Sequence, residues 1–224
     1  MKHFVSAVVP AAGLGRRMGT DKKKQFLKLN NIPIVVHTLK KLSASECIDE
    51  IIVVTGREDI PVIMDFIKEY NIEKITEVTE GGKTRQQSVR NGVLKAKGDY
   101  ILIHDGVRPL VSMEEISSAV KDAFEYKAAA AGIPLCDTIK LSDENGFSLK
   151  TLPRENIVRI LTPQVLEKEL YFKALSNAEE NNLETTDDIS LAELMGIKPK
   201  ISFGSIKNIK ITRQEDLELA EKLI

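Results

Sequence analysis

A glycine-rich turn followed by a dense run of cations is the part of this sequence best equipped for chemistry. An apolar run over residues 5–10 leads into Ala11, Ala12, Gly13, Leu14 and Gly15, and the cations that come next are Arg16, Arg17, Lys22, Lys23 and Lys24. Glycine lets the backbone approach a ligand closely, so successive N–H groups can converge on phosphate oxygens. The segment therefore predicts a polyphosphate-binding loop, although a tight turn with a solvated charged face would use the same residues.

Two better-known glycine loops do not fit this segment. A dinucleotide-binding turn requires a third small residue where Met18 stands, and an acid about 20 residues further on to bind a ribose. No acid lies near Thr38. A P-loop requires Gly-Lys-Ser/Thr where this chain has Met18-Gly19-Thr20. These mismatches exclude both a P-loop nucleotidase and a nicotinamide-dependent dehydrogenase.

A second glycine turn precedes a predicted helix. Gly81 and Gly82 follow an apolar run, and Arg85 and Ser88 come shortly after them. In open α/β sheets ligands bind beyond the carboxyl ends of the strands, and the free N–H groups of a helix N-terminus could bind phosphate or a base edge there. An ordinary connection between a strand and a helix would have the same appearance.

Two charged residues, Asp105 and Lys210, lie in or directly after apolar runs that would bury them. Asp105 ends a predicted strand, where a carboxylate can hold a hard cation such as Mg²⁺, cap a helix or pair with the nearby Arg108. A buried lysine is costly unless an anion meets it. Lys210 therefore indicates an anionic partner at the same edge of the sheet.

The elements that must position these residues alternate between strands and helices. Strands are predicted over residues 5–9, 51–55, 75–78 and 100–104, and helices over residues 33–42, 60–70, 85–96 and 113–126. Such alternation predicts a parallel sheet, and strands that are apolar throughout require helices on both faces. We therefore expect an α/β, Rossmann-like, mostly parallel sheet.

The pattern changes in the second half of the chain. Residues 138–152 alternate with period two around a glycine-containing turn, which predicts a β-hairpin inserted as an arm over about residues 135–159. The open edges of two exposed strands need a cover, and the equivalent arm of a second subunit would supply it, so we expect a homodimer. The remaining predictions are helices over 162–177 and 187–195, strands near 200–202 and 206–211, and a capping box over 212–215 that starts the last helix.

Composition indicates one domain spanning residues 1–224. The chain has 42% hydrophobic and 29% charged residues and a net charge of −1, so it has no overall field for nucleic acid or an anionic membrane. Cys47 and Cys136 match no metal-ligand or disulfide pattern. With no long apolar run and no signal-peptide pattern, we expect a cytoplasmic protein.

Taken together, the motifs resemble the cytidylyltransferases that make 4-diphosphocytidyl-2-C-methyl-D-erythritol in the non-mevalonate isoprenoid pathway. The resemblance spans essentially the whole chain. It rests on Ala11-Ala12-Gly13-x-Gly15-x-Arg17-Met18, Lys24-Gln25, Gly81-Gly82-x-x-Arg85-x-x-Ser88, His104-Asp105-x-x-Arg108-Pro109, Asp137-Thr138, Thr162-Pro163-Gln164, Thr186-Asp187-Asp188 and Asn208-Ile209-Lys210.

This resemblance implies transfer of CMP from CTP, with Mg²⁺ or another divalent cation, to 2-C-methyl-D-erythritol 4-phosphate. The catalytic residues would be Arg17, Lys24, Arg154 and Lys210, and Asp105 would bind the metal. The residues implied in nucleotide binding are Ala11, Ala12, Gly13, Leu14, Gly15, Gly82, Arg85, Ser88, Asp105 and Gly106. Those implied for the acceptor are Asp105, Arg108, Thr138, Arg154 and Thr162, with Arg154 reaching across the dimer into the partner's site.

Two departures and two alternatives accompany the resemblance. Lys83 stands where the family often has an acid beside the cytosine pocket, so we leave its side chain out of base recognition. Gly106-Val107 varies the small pair that commonly follows Asp105.

A ribitol-5-phosphate cytidylyltransferase of the same fold would share the nucleotide motifs. A non-catalytic nucleotide-binding protein would keep the phosphate loop but lose turnover.

Overall fold

The computed structural model describes residues 3–13, 23–183 and 185–224. Its strands are β1 (Val5–Pro10), β2 (Lys28–Leu29), β3 (Ile32–Pro33), β4 (Glu50–Thr55), β5 (Ile75–Glu80), β6 (Tyr100–Ile103), β7 (Ala128–Pro134), β8 (Ile139–Ser142), β9 (Ser148–Leu152), β10 (Val158–Glu167) and β11 (Lys200–Phe203). Its α-helices are α1 (Ile34–Ser43), α2 (Ile60–Glu69), α3 (Arg85–Lys95), α4 (Met113–Tyr126), α5 (Lys168–Glu180), α6 (Ser190–Leu194) and α7 (Gln214–Leu223).

Seven of these strands form one sheet in the order β11-β7-β10-β6-β1-β4-β5. Strand β1 pairs in parallel with β4 and β6, and β4 pairs in parallel with β5. Strand β10 runs antiparallel between β6 and β7. The predicted mostly parallel sheet is confirmed, and its parallel strands all end at one edge.

Helices cover both faces of the sheet, as the apolar strands predict. Val5, Ala7 and Val9 of β1 pack in one buried cluster with residues of α1, α2 and α4, whereas Val8 packs in another with residues of α3 and α5. This division follows from the period of two along a strand. Close contact requires Gly92 in α3, because a Cβ there would lie 2.5 Å from Val8 Cγ1. No helix in these three stretches of chain is long and apolar enough to cross a membrane.

The inserted hairpin is present as a separate two-stranded sheet of β8 and β9. Gly146 takes a φ of +85° in its turn, a conformation that favours glycine. The hairpin leaves Leu141, Phe147 and Leu149 exposed by 52%, 71% and 62%. The boundaries of the arm and its role in a dimer stay predictions.

The predicted helix over 162–177 is wrong in its first six residues. Those residues continue β10, in which Gln164 to Glu167 pair with Ile103 to Tyr100 of β6 on one side. On the other side, Gln164 pairs with Ala130 of β7. The helix α5 begins only at Lys168. Two strands distant in sequence therefore override the local helix signal.

The last part of the chain differs from the prediction in three places. Residues 206–211 form no strand, because Asn208 is held by side-chain hydrogen bonds. The helix predicted over 187–195 is shortened to α6, preceded by a turn at 187–189. The capping acid of α7 is Asp216 and not Glu215: the Thr212 hydroxyl and the Arg213 N–H donate to Asp216 Oδ2 at 2.7 and 2.9 Å.

Candidate functional site

A cleft of about 520 Å³ opens at the edge where the parallel strands end. It brings together residues of both glycine turns with Asp105 and Lys210. The predicted site residues that line it are Ala11, Ala12, Gly13, Lys24, Gly82, Arg85, Ser88, Asp105 and Lys210. Leu14, Gly15 and Arg17 lie outside the described residues. Arg108 and Thr162 adjoin Asp105 behind this lining, as their contacts below show, and the N–H of Gly106 donates to Pro10 O at 3.2 Å.

Asp105 is the centre of a cluster of cations. Its side chain is only 9% exposed, and its Oδ2 lies 2.8 Å from Lys210 Nζ and 3.5 Å from Arg108 Nε. Arg85 Nε lies 3.7 Å from Asp105 Oδ1. Although burial opposes ionisation, Lys210, Arg85 and Arg108 hold the pKa of the Asp105 carboxyl well below its usual range. Asp105 is therefore ionised at neutral pH and pairs with Lys210. The predicted burial of Lys210 is wrong, because its side chain is 36% exposed at the cleft.

The donor set fits a metal ion that arrives with a nucleotide. Across residues 3–13, 23–183 and 185–224, no group of three or more His, Cys, Asp or Glu side chains could hold a metal. Mg²⁺, however, is usually held by one or two carboxylates together with substrate phosphates and waters. The ionised Asp105 on the cleft wall can supply such a carboxylate.

The second glycine turn forms a rigid wall of the cleft. The N–H groups of Gly81, Gly82 and Lys83 donate to Thr55 O, Ser88 Oγ and Gln87 Oε1 at 2.8, 3.0 and 2.9 Å. A Cβ on Gly82 would lie 2.3 Å from Gln87 Cβ, so the turn must pack against α3 without a side chain. These three backbone donors are used within the protein. The expectation that free N–H groups at the N-terminus of α3 bind phosphate or a base edge concerns other donors and stays a prediction.

The start of the first glycine loop is held by Gln25, to which the sequence analysis gave no role. Its Nε2 donates to Ala11 O at 2.7 Å, and the Ala11 N–H donates to Val54 O at 2.7 Å. Gln25 is 1% exposed and lines the cleft. The sequence places Gln25 next to Lys24, but its contact with Ala11 depends on the folded loop.

A buried acid outside the cleft lining, Glu115, holds Asn208, which contacts Arg108 and precedes Lys210 by two residues. Arg108 Nη1 donates to Asn208 O at 2.8 Å, and Asn208 Nδ2 donates to Thr162 O at 2.8 Å and to Glu115 Oε1 at 2.9 Å. Glu115 is fully buried and also completes the capping box of α4. Ser112 and Glu115 have the sequence spacing of a capping box, whereas the contact between Glu115 and Asn208 has no local sequence signal.

His104 and Thr162 support Asp105 from behind. The Asp105 N–H donates to Thr162 Oγ1 at 3.2 Å, and Thr162 Oγ1 lies 2.9 Å from His104 Nδ1. Burial lowers the pKa of His104 to about 4, so its ring is neutral at pH 7. A proton on Nε2 satisfies the 3.2 Å contact with Arg108 O, and Nδ1 then accepts the Thr162 hydroxyl proton. The hydroxyl of Thr162 is thereby fixed beside Asp105.

The buried His104 predicts a loss of stability in mild acid. An unfolded histidine takes up a proton near pH 6.5, whereas native His104 resists protonation down to about pH 4. Protons then favour the unfolded state, and we expect the contribution of His104 to the free energy of unfolding to fall by about 2 kcal/mol between pH 7.5 and pH 5. Asp105 does not contribute in this window, because its pKa is lowered from a value already below 5.

Urea unfolding at the two pH values measures this effect. The His104→Asn variant is the control, and its free energy of unfolding should depend less on pH by the same amount. Equal pH dependence in the two proteins would contradict the assignment of His104 as a buried neutral ring.

Thr138 and Arg154 lie together, but away from the cleft of their own chain. Both line a second, open cavity of about 370 Å³ beside the hairpin. Arg154 Nη1 donates to Cys136 O there. Neither residue lines the first cleft. Their predicted role in contacting the acceptor stays a prediction.

Comparisons with known proteins agree with one another. A family model described as IspD, 2-C-methyl-D-erythritol 4-phosphate cytidylyltransferase, matches residues 5–224. Proteins with that name from Clostridium botulinum (strain Eklund 17B / Type B) and Clostridium novyi (strain NT) are 42% and 41% identical, covering 99% and 97% of this chain and 99% and 95% of their own. The crystal structure of 4-diphosphocytidyl-2C-methyl-D-erythritol synthase from Anaerococcus prevotii superimposes with a TM-score of 0.87 at 30% identity, covering 100% of this chain and 99% of that one.

Proposed function

The chain belongs to the 2-C-methyl-D-erythritol 4-phosphate cytidylyltransferase (IspD) family, and we propose that the cleft around Asp105 is its catalytic site. The enzyme transfers CMP from CTP to 2-C-methyl-D-erythritol 4-phosphate, which releases pyrophosphate and forms 4-diphosphocytidyl-2-C-methyl-D-erythritol. The observation that carries the proposal is the buried, ionised Asp105 among Lys210, Arg108 and Arg85, at the edge where the parallel strands end.

The reaction brings two anions together, so the protein must position them and neutralise their charge. A phosphate oxygen of the acceptor attacks the α-phosphorus of CTP, and pyrophosphate leaves from the opposite side without a covalent enzyme intermediate. Lys24 and Arg17 stabilise the charge that develops on the phosphate oxygens, and Lys210 holds the triphosphate. Mg²⁺, when bound, neutralises phosphate oxygens, and Asp105 is the residue that would hold it.

The acceptor residues come from two directions. Thr162 and Arg108 stand directly behind Asp105, with the Thr162 hydroxyl fixed by His104. Thr138 and Arg154 are supplied by the arm. Asp105, Arg108 and Thr162 are the acceptor residues that we propose from one subunit, and the arm would close the site from the other.

Pyrophosphate release tests this function when it is measured with CTP or UTP, each combined with 2-C-methyl-D-erythritol 4-phosphate or ribitol 5-phosphate. We expect release from CTP with 2-C-methyl-D-erythritol 4-phosphate, and little from UTP with the same acceptor. Faster release with ribitol 5-phosphate would instead favour the ribitol-5-phosphate enzyme. An absence of release with every pair, despite CTP binding, would favour a non-catalytic nucleotide-binding protein.

The proposal of a homodimer is based on the arm. Strands β8 and β9 pair only with each other among the described strands, and the exposed Leu141, Phe147 and Leu149 would otherwise face water. An equivalent arm in a second copy would cover these side chains and bring its Arg154 to the first cleft.

Mixed dimers measure whether Arg154 acts across the interface. Arg154→Ala and Lys24→Ala proteins are each expected to lose about 10²-fold or more in turnover. Subunit exchange at equal amounts makes half of the dimers mixed. Each mixed dimer has one site with both defects and one intact site, so we expect recovery of about a quarter of wild-type activity. No recovery, despite exchange shown by mass spectrometry, would place Arg154 in the site of its own subunit.

We also propose a cytoplasmic location. Cys47 and Cys136 are both free thiols, which is the usual state in a reducing compartment. Fractionation of cells that produce the protein checks this location.

A further inference from the structure

The Thr186-Asp187-Asp188 motif has no part in the site as described so far. Asp188 is buried, with its side chain 5% exposed, and it does not line the cleft. Its Oδ2 accepts a hydrogen bond from Arg85 Nη2 at 2.6 Å. A fully buried acid thus lies behind an arginine of the nucleotide cleft.

Arg85 lies between two acids that hold it unequally. Its Nη2 is hydrogen bonded to Asp188 at 2.6 Å, whereas its Nε is 3.7 Å from Asp105 Oδ1, which is too far for a hydrogen bond. A short bond between a guanidinium and a carboxylate is among the stronger contacts in a protein. The position of Arg85 is therefore set mainly by Asp188.

Asp188 is itself fixed to the central sheet. Its N–H and that of Ile189 donate to Gln164 Oε1 at 2.8 and 3.1 Å, and Gln164 Nε2 donates to Leu161 O at 3.1 Å. Gln164 belongs to β10, which is paired on both sides. Asp188 is thus anchored on the sheet, where it cannot follow Arg85 toward the cleft.

We infer that Asp188 is a positioning residue that holds Arg85 back from Asp105, and this inference rests on the proposed function of the cleft. Without the bond to Asp188, the guanidinium of Arg85 could pair with Asp105 through two parallel hydrogen bonds. Asp105 would then be held closely by Lys210, Arg108 and Arg85. Both the carboxylate and the guanidinium would be less accessible to a metal ion and a nucleotide.

Calorimetric titration of CTP, with Mg²⁺ and with EDTA, tests this role in the Asp188→Asn protein. We expect CTP to bind about tenfold more weakly in the presence of Mg²⁺, and less affected in EDTA, so that the two titrations become more alike. A purely structural defect would weaken both titrations equally, and that result would overturn the inference. A wild-type protein that does not bind CTP at all would instead contradict the proposed function.

A double-mutant cycle identifies the residue through which Asp188 acts. In an Arg85→Gln background, Asp188→Asn should change CTP affinity by less than about twofold, because its partner is already absent. Additive effects would overturn the inference.

Asp187→Asn is the matched control. Asp187 Oδ1 accepts hydrogen bonds from the N–H and hydroxyl of Ser190, and Asp187 Oδ2 has only a long contact of 3.5 Å with Gln164 Nε2, so this change should lower thermal stability and leave CTP binding near wild type. If circular dichroism shows Asp188→Asn to be unfolded, Asp188→Glu provides the same test. It keeps the charge but displaces Arg85 toward Asp105, and unchanged Mg²⁺-dependent binding in that variant would overturn the inference.

Discussion

Replacing Asp105 by asparagine is expected to remove the Mg²⁺ dependence of CTP binding and to lower turnover by about 10³-fold. The change keeps the shape of the side chain but removes the carboxylate that lies within 4 Å of Lys210, Arg108 and Arg85. Lys210 and Arg108 would then lose the carboxylate beside them, whereas Arg85 would keep its contact with Asp188. We therefore expect CTP titrated in EDTA to bind as tightly as it does to the wild type, or a few times more tightly.

The matched control for Asp105 is another acid of the cleft. Glu80 also lines the cleft, and no ion pair joins it to these three cations. Glu80→Gln should therefore keep the Mg²⁺-dependent tightening of CTP binding. If that tightening survives in Asp105→Asn, or is lost in Glu80→Gln instead, the metal-binding role belongs elsewhere.

Lys24→Ala is expected to lower turnover by about 10²-fold or more, with a smaller change in CTP affinity, because the lysine stabilises charge that develops during the reaction. Lys24 lines the cleft together with Gly13 of the first glycine loop. We expect Arg17→Ala to have an effect of the same size. Turnover at the wild-type rate in either variant would contradict its catalytic assignment.

Lys23 offers a control one residue away from Lys24. Its Nζ is already paired with Glu58 and Asp59 at 2.5 and 2.6 Å, which raises the pKa of its ammonium group against the effect of burial. Because the Lys23 ammonium group is ion-paired with Glu58 and Asp59, Lys23→Ala should change turnover by less than about threefold. Pre-steady-state measurement of pyrophosphate release separates such effects on chemistry from effects on binding. A loss in Lys23→Ala as large as in Lys24→Ala would show that either change simply displaces the loop.

The sheet and the residues at its edge could be predicted because their signals are local. The apolar strands and helix starts are readable in short windows, and the carboxyl ends of parallel strands must meet at one edge. Asp105, Arg85 and Lys210 could therefore be assigned to one site before any coordinate was known.

The errors arose where contacts between distant segments decide the structure. Thr162-Pro163 reads locally as a helix start, yet pairing with β6 and β7 keeps this segment in β10. Lys210 was placed in a strand, whereas its segment is held by Asn208, which contacts Glu115 some 93 positions away. The partner of Asp188 is 103 positions away, at Arg85. No window of sequence contains such pairs.

Strand β10 limits which parts of the arm can vary in sequence without disturbing the site. The chain leaves the arm near Arg154 and enters β10 a few residues later, and the same strand then carries Thr162 to His104 and Gln164 to the Asp188 turn. The arm is thus not an appendage that can be shortened or exchanged without consequence. Insertion or deletion of one residue in β10 between Val158 and Thr162 would shift every later residue of the strand by one register position, which reverses the faces of its side chains. Variation in the arm should therefore be confined to its tip, around residues 143–147, and engineering of new interfaces should begin there.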